Sequence, residues 1–192
     1  MSDQLRGYLE EHLGVARQVE ALLPAVEAVA QVVVRSLAAG GGVYTFGNGG
    51  SAADAQHFAA ELVGRYRRER RALPAIALTT DPSALTCIGN DYSFDDLFAR
   101  QVQGLVRPGD VVVGITTSGN SENVLRGLVA ARNLGAATVA LTGGTGGKAA
   151  PVADFALVVP SAVTARIQEM HILLIHMICE RVDDWVLGMH QT

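Results

Sequence analysis

The sequence predicts an α/β fold: a three-layer sandwich with a five-stranded parallel sheet, helices on both faces, and further helices ahead of the first strand. Three observations lead there. Short apolar runs alternate along the 192 residues with stretches of helical hydrophobic spacing. A glycine turn, Gly47-Asn48-Gly49-Gly50-Ser51, follows the first apolar run and opens a helix. A hydroxyl-rich loop, Thr116-Thr117-Ser118-Gly119-Asn120-Ser121, follows the third run.

Residues 3–39 read as two helices. Leu5, Leu9, Leu13 and Ala16 fall at helical spacing, and Pro24 opens a second run through Val26, Val29, Val33 and Leu37. Glycines 40–42 end that run. An apolar helical pair placed before the first strand must bury its stripe, and a subunit interface is a place to do so. The length fits one domain over 1–192, with residues 1–39 as a helical extension used in oligomerisation.

Strands are expected at 43–46, 75–78, 111–115, 138–141 and 155–159. Each is short, apolar and edged by Gly, Pro, Asp or Thr, as strands covered on both faces are. Helices are expected at 52–65, 95–106, 121–134, briefly after Lys148, and at 166–187, with a turn at 84–89. With the first strand central and the order 2-1-3-4-5, the switch point lies between strands one and three. Both the glycine turn and the hydroxyl loop then stand at the carboxyl ends of strands beside that point, where such folds bind ligands.

Composition narrows the function. A net charge of −4 gives no electrostatic footprint for a nucleic-acid partner. The basic cluster at 65–71, interrupted by Glu69, reads as a solvated loop. Cys87 and Cys179 lie far apart in apolar surroundings and read as buried thiols in a reducing compartment. The N-terminus is charged and amphipathic, without the apolar core of a signal peptide, and no run reaches the ~18 apolar residues of a membrane span. The expectation is a cytoplasmic protein with neither membrane nor nucleic-acid partner.

Gly47-x-Gly49-x-x-Ala52 matches a loose dinucleotide fingerprint. The acidic residue expected ~20 positions later is missing, since Asp81 lies too far on, and there is no Walker lysine. No nucleotide cofactor is expected. Backbone amides and hydroxyls without clustered Lys or Arg suit one phosphate monoester on a small molecule. Asp54, His57 and Glu61 make a polar stripe on an otherwise apolar helix. On the final helix, residues 172–179 are apolar nearly all round except His176, so burial is expected there. Two spaced pairs, His57-x3-Glu61 and Gln168-x7-His176, can either complete a tetrahedral zinc site or supply an acid/base pair. Asn90-Asp91 reads as a second polar spot, functional or an Asx turn, and Glu122 and Asn123 as helix-capping residues.

Three motifs, residues 47–58 (GNGGSAADAQHF), 117–121 (TSGNS) and 166–171 (RIQEMH), together resemble sugar isomerase (SIS) domains, and more narrowly the phosphoheptose isomerase family. The likeness runs from the N-terminal helices to about Leu187. It implies a flavodoxin-like SIS domain and a homotetramer with active sites between subunits. It also implies interconversion of sedoheptulose 7-phosphate and D-glycero-D-manno-heptose 7-phosphate on the way to an activated heptose. By resemblance Asn48, Gly49, Gly50, Ser51, Asp91, Thr116, Thr117, Ser118, Ser121 and Gln168 bind substrate. Glu61 and His176 are the catalytic pair, and His57, Glu61, Gln168 and His176 match positions that hold one zinc ion per subunit in part of the family. The chain has Ala165 and Val163 where different members carry an aspartate. A sister group of SIS proteins binds the bacterial replication initiator as an adaptor and lacks the Glu61 and His176 equivalents; this chain keeps both.

Overall fold

A computed structural model describes residues 3–188. The order is α1 (Asp3–Gln18), a 3-10 turn (Val19–Leu22), α2 (Leu23–Ala38), β1 (Val43–Gly47), α3 (Gly50–Val63), β2 (Ala75–Ala77) and α4 (Pro82–Asp91). A second 3-10 turn (Phe94–Asp96) leads to α5 (Leu97–Leu105), β3 (Val111–Ile115), α6 (Glu122–Asn133), β4 (Ala137–Gly143), α7 (Ala149–Val152), β5 (Phe155–Val159) and α8 (Thr164–Val186). The five strands are all parallel in the order β2-β1-β3-β4-β5, so the expected switch point between β1 and β3 is present.

Strand alternation divides the core in two. Val111, Val113 and Ile115 of β3 face the layer of α1, α2, α3 and α8, while Val112 faces α5, α6 and α7. On the second face Phe46 stacks on Phe98 with ring centroids 4.8 Å apart. Gly127 permits that approach, because a Cβ there would meet the Phe46 ring at 2.6 Å. On the first face the hydroxyl of Thr45 donates to the carbonyl of Ala55 at 2.7 Å, fastening α3 to the central strand.

Several expectations need correction. Residues 84–89 are not a turn but part of α4. Asp81 caps that helix by accepting from the amides of Ser83 and Ala84, and Pro82 sits in its first turn. Cys87 is exposed, not buried, because no residue of α4 is fully buried; Cys179 is buried as expected. The basic stretch 65–71 is not simply a solvated loop, since the Arg70 side chain is 1% exposed and pairs with Asp183 of α8, itself 0% exposed. Within Asp3–Ala38 one 18-residue window has a mean hydropathy of 1.5, long and apolar enough by composition to cross a membrane, which run length alone does not bring out. In the fold that stretch is broken by the first 3-10 turn, and α2 packs on α8 with Val29 and Val33 fully buried.

His171 of α8 is fully buried, and its Nε2 donates to the carbonyl of Thr142 at 3.1 Å while Nδ1 has no protein partner. Burial pulls its pKa from 6.5 down to about 4, so the folded state keeps the ring neutral while the unfolded chain takes up a proton. The resulting stability is fully present above the unfolded value and is lost as pH falls towards the folded one. We predict that between pH 7 and pH 4 the unfolding free energy of the wild type falls by on the order of 3 kcal/mol more than that of His171→Leu. Urea titrations of both proteins at fixed concentration check this, and parallel pH dependences would contradict it. Asp54, whose burial raises its carboxyl to about 6, acts with the opposite sign and cancels in the comparison.

Candidate active site

The site begins at the end of β1. A Cβ on Gly47 would lie 2.7 Å from the carbonyl oxygen of Ser51 and 2.8 Å from that of Ile115, so only glycine lets the chain turn this tightly between two strands. Gly49 follows with φ +55 and serves as N-cap of α3. The amide of Ser51 donates to the carbonyl of Asn48 at 3.0 Å, and that of Ala52 to Gly49 at 3.0 Å. Gly50 is packed under the Gln168 amide, and a Cβ there would push that amide aside. Gln168 therefore stands at the N-terminus of α3, beside the glycine turn.

The second loop leaves β3 at Thr116, which is buried, and its hydroxyl lies 3.0 Å from that of Ser121. Thr117 and Ser121 are half-buried and Ser118 is exposed. Gly119 takes φ +68 in contact with the backbone of Gly146, and the amide of Ala149 donates to its carbonyl at 2.9 Å. The hydroxyl loop is thereby locked to the loop after β4. Thr117 and Ser118 line a cavity of about 330 Å³ with Gly143, Gly144, Ser161 and Thr164, next to the start of α8.

Asn123 is a functional candidate that reading by sequence assigned to capping. It is buried, and its side-chain amide exchanges two hydrogen bonds, at 2.8 and 2.9 Å, with that of Asn48. The pair ties α6 to the glycine turn and fixes both amide orientations. The N-cap of α6 is Ser121, without a side-chain cap bond, and Glu122 pairs with Arg126 at 3.0 Å. Nothing local signals the Asn48–Asn123 pair, because the partners are 75 residues apart.

Three side chains converge between α3 and α8. His57 Nε2 lies 3.0 Å from Glu61 Oε1 and 3.0 Å from His176 Nε2, and the three donor atoms all fall within 4.8 Å of one another. Their environment is only half enclosed: the side chains of His57 and Glu61 are 41% and 21% exposed. His176 is partly buried, as are Ile172, Leu173 and Met177, so this stretch of α8 keeps an open apolar face instead of the burial expected all round. Burial and the nearby His57 lower the pKa of His176, while Glu61 opposes the shift. Tyr66 stacks on the His176 ring with centroids 5.3 Å apart.

Two imidazole nitrogens and a carboxylate oxygen facing each other form a donor set suited to zinc. Two of the three separations, those from His57, are 3.0 Å, close to the about 3.3 Å edge of a tetrahedron with bonds near 2.05 Å. Gln168 stands eight residues, roughly 12 Å along the axis, from His176 on the same helix. Within one chain its amide faces Gly50 and not the His/Glu/His cluster. Asp54, on the same stripe as His57 and Glu61, is buried and has no protein partner at Oδ2. Asp91 ends α4 and lines another groove, of about 540 Å³, with Cys87, Tyr92 and Arg100.

Comparison with known proteins agrees with this geometry. The SIS domain family model matches residues 7–143. A phosphoheptose isomerase of Aquifex aeolicus is 61% identical over 158 residues, covering 82% of this chain and 83% of the relative. The structure of phosphoheptose isomerase from Neisseria gonorrhoeae superposes with a TM-score of 0.90 at 46% identity, covering 95% of this chain and 98% of that one. For the Francisella tularensis phosphoheptose isomerase the TM-score is 0.92 at 40% identity, with 96% and 100% covered. The chain belongs to the SIS domain family and, within it, to the phosphoheptose isomerase family of sugar-phosphate isomerases.

Proposed function

We propose that this enzyme interconverts sedoheptulose 7-phosphate and D-glycero-D-manno-heptose 7-phosphate through an enediol, in the cytoplasm. The observation that carries the reading is the convergence of His57 and Glu61, on the helix that opens at the glycine turn, with His176 of α8. Ser51, Thr116, Thr117, Ser118 and Ser121, with the backbone at Gly49 and Gly50, hold the phosphate, where the start of α3 adds its positive dipole end. Asn48 and Gln168, both at the glycine turn, contact the sugar, whereas Asp91 lines a separate groove within the chain.

Aldose–ketose exchange moves a proton between C1 and C2 and a second proton between the two oxygens. Glu61 takes the C–H proton and returns it to the neighbouring carbon. Its Oε1 is turned to His57, and we assign the proton to the other oxygen. His176 moves the hydroxyl proton through a ring nitrogen not bound to metal, a task helped by a pKa that burial and the nearby His57 hold below that of a free imidazole. His57, Glu61 and His176 are the residues that would hold zinc; within one chain Gln168 faces Gly50 and does not join them. When bound there, zinc supplies Lewis-acid polarisation of the carbonyl oxygen.

The same reading makes the protein a homotetramer with active sites between subunits. Leu5, Tyr8, Leu9 and Leu13 of α1 are each at least 44% exposed, and the open apolar face of α8 carries His176. Sedimentation is expected to give about four times the 20.1 kDa chain mass, and a monomer at micromolar concentration would contradict it.

Chelator-treated enzyme is expected to lose turnover of sedoheptulose 7-phosphate by at least about 100-fold and to recover it with added Zn²⁺. Glu61→Gln, with zinc present, is expected to lose about 100- to 10,000-fold in kcat while still binding the sugar phosphate. Full activity after chelation would remove the metal from the account, and near-wild-type activity in Glu61→Gln would remove the base.

A further inference from the structure

We infer that Arg70 and Asp183 form a positioning pair that sets Glu61 and His176 against each other. The inference rests on the reading that these two side chains do the chemistry. The segment after α3 folds back across α8 instead of leaving for solvent. Arg70 Nε donates to Asp183 Oδ1 at 3.0 Å, Nη1 donates to the carbonyl of Arg71 at 2.9 Å, and the other bonds of the guanidinium go to the end of α3. Nη2 donates to the carbonyl of Glu61 at 2.5 Å, and Nη1 to those of Leu62 at 2.8 Å and Gly64 at 3.1 Å. These carbonyls belong to the last turn of α3, whose acceptors have no partner further along the helix.

Asp183 completes the clamp from the other helix. Its Oδ2 accepts from the backbone amides of Arg67 and Arg68, both at 3.3 Å, so one buried carboxylate holds the strap at three points. Arg68 adds bonds to Glu180 and Asp184 at 3.0 and 2.7 Å. Asp183 lies seven residues after His176, about two turns along the same face. The strap also carries Tyr66, which stacks on the His176 ring. One short segment therefore touches the backbone of the carboxylate residue, the ring of the histidine, and the helix that bears the histidine. The guanidinium fork reaches four carbonyls, those of Glu61, Leu62, Gly64 and Arg71, and one carboxylate, which an ammonium cannot do.

Two variants test the inference. Arg70→Lys keeps the charge opposite Asp183 and gives up most of the carbonyl bonds. The double variant Arg70→Met/Asp183→Leu replaces the buried ion pair by apolar groups, a change that commonly preserves folding. Zinc-supplied proteins are assayed on sedoheptulose 7-phosphate, and the histidine ring signals are followed by ¹⁵N NMR, which reads the site without turnover. In both folded variants kcat is expected to fall about 10- to 100-fold with KM within about twofold of wild type. The ring signals of His57 and His176 are expected to move. Glu69→Gln, on the same strap with its side chain 90% exposed, is expected to behave as wild type. A folded variant with kcat within about twofold of wild type and unmoved ring signals overturns the inference. Failure of both variants to fold overturns it equally, because Arg70 would then act in stability alone. A wild type without turnover but with ring signals that move in the variants would instead contradict the proposed function and leave the positioning role standing.

Discussion

The side-by-side packing of α3 and α8 on one face of the sheet is the constraint on which the rest of the site depends. The two helices run in the same direction, as helices following strands of a parallel sheet do. Their register is visible at three levels: Gly50 against Gln168, His57 against His176, and the strap after α3 against Asp183. A one-turn slip at this contact would move residues by about 5.4 Å and separate every pair. The absence of a side chain at Gly50 and the buried Arg70–Asp183 pair hold the two ends, and the functional cluster lies between them.

The sheet supplies the second half of the site. Because β1 and β3 are neighbours at the switch point, the loops after them meet although some 65 residues separate them in sequence. Small residues and polar pairs keep these loops rigid before any ligand arrives: Gly47 closes one turn, Gly119 fits against Gly146, and Asn48 is held by Asn123. Rigid donors need not be ordered when the phosphate binds, which is how preorganisation favours affinity.

Much of this was legible in the sequence, for physical reasons. Strands covered on both faces carry continuous apolar runs, so the sequence places β3 and β5 to the residue, and the order expected for a central first strand is the one present. His57 and Glu61 are four apart on one helix, so their contact is a local fact. What escaped was non-local or locally disguised. Arg70 is one of several charges in a run that looks solvated, and its partner is 113 residues away. Asn123 follows a helix start, where a capping role is the ordinary expectation. Helix α4 has no buried face and so leaves little periodicity to detect, although Asp81-Pro82 carries both a cap and a first-turn proline, and the exposure of Cys87 is hidden with it.

A carboxylate on α3, in this reading, moves a proton between adjacent carbons of a heptose phosphate. Incubating the enzyme with sedoheptulose 7-phosphate in deuterated water, followed by NMR, tests it most directly. The account predicts an aldose product carrying deuterium at C2, since a proton held by Glu61 exchanges with solvent before it is returned. Aldose formed with deuterium at C2 at an undiminished rate by Glu61→Gln would contradict the claim.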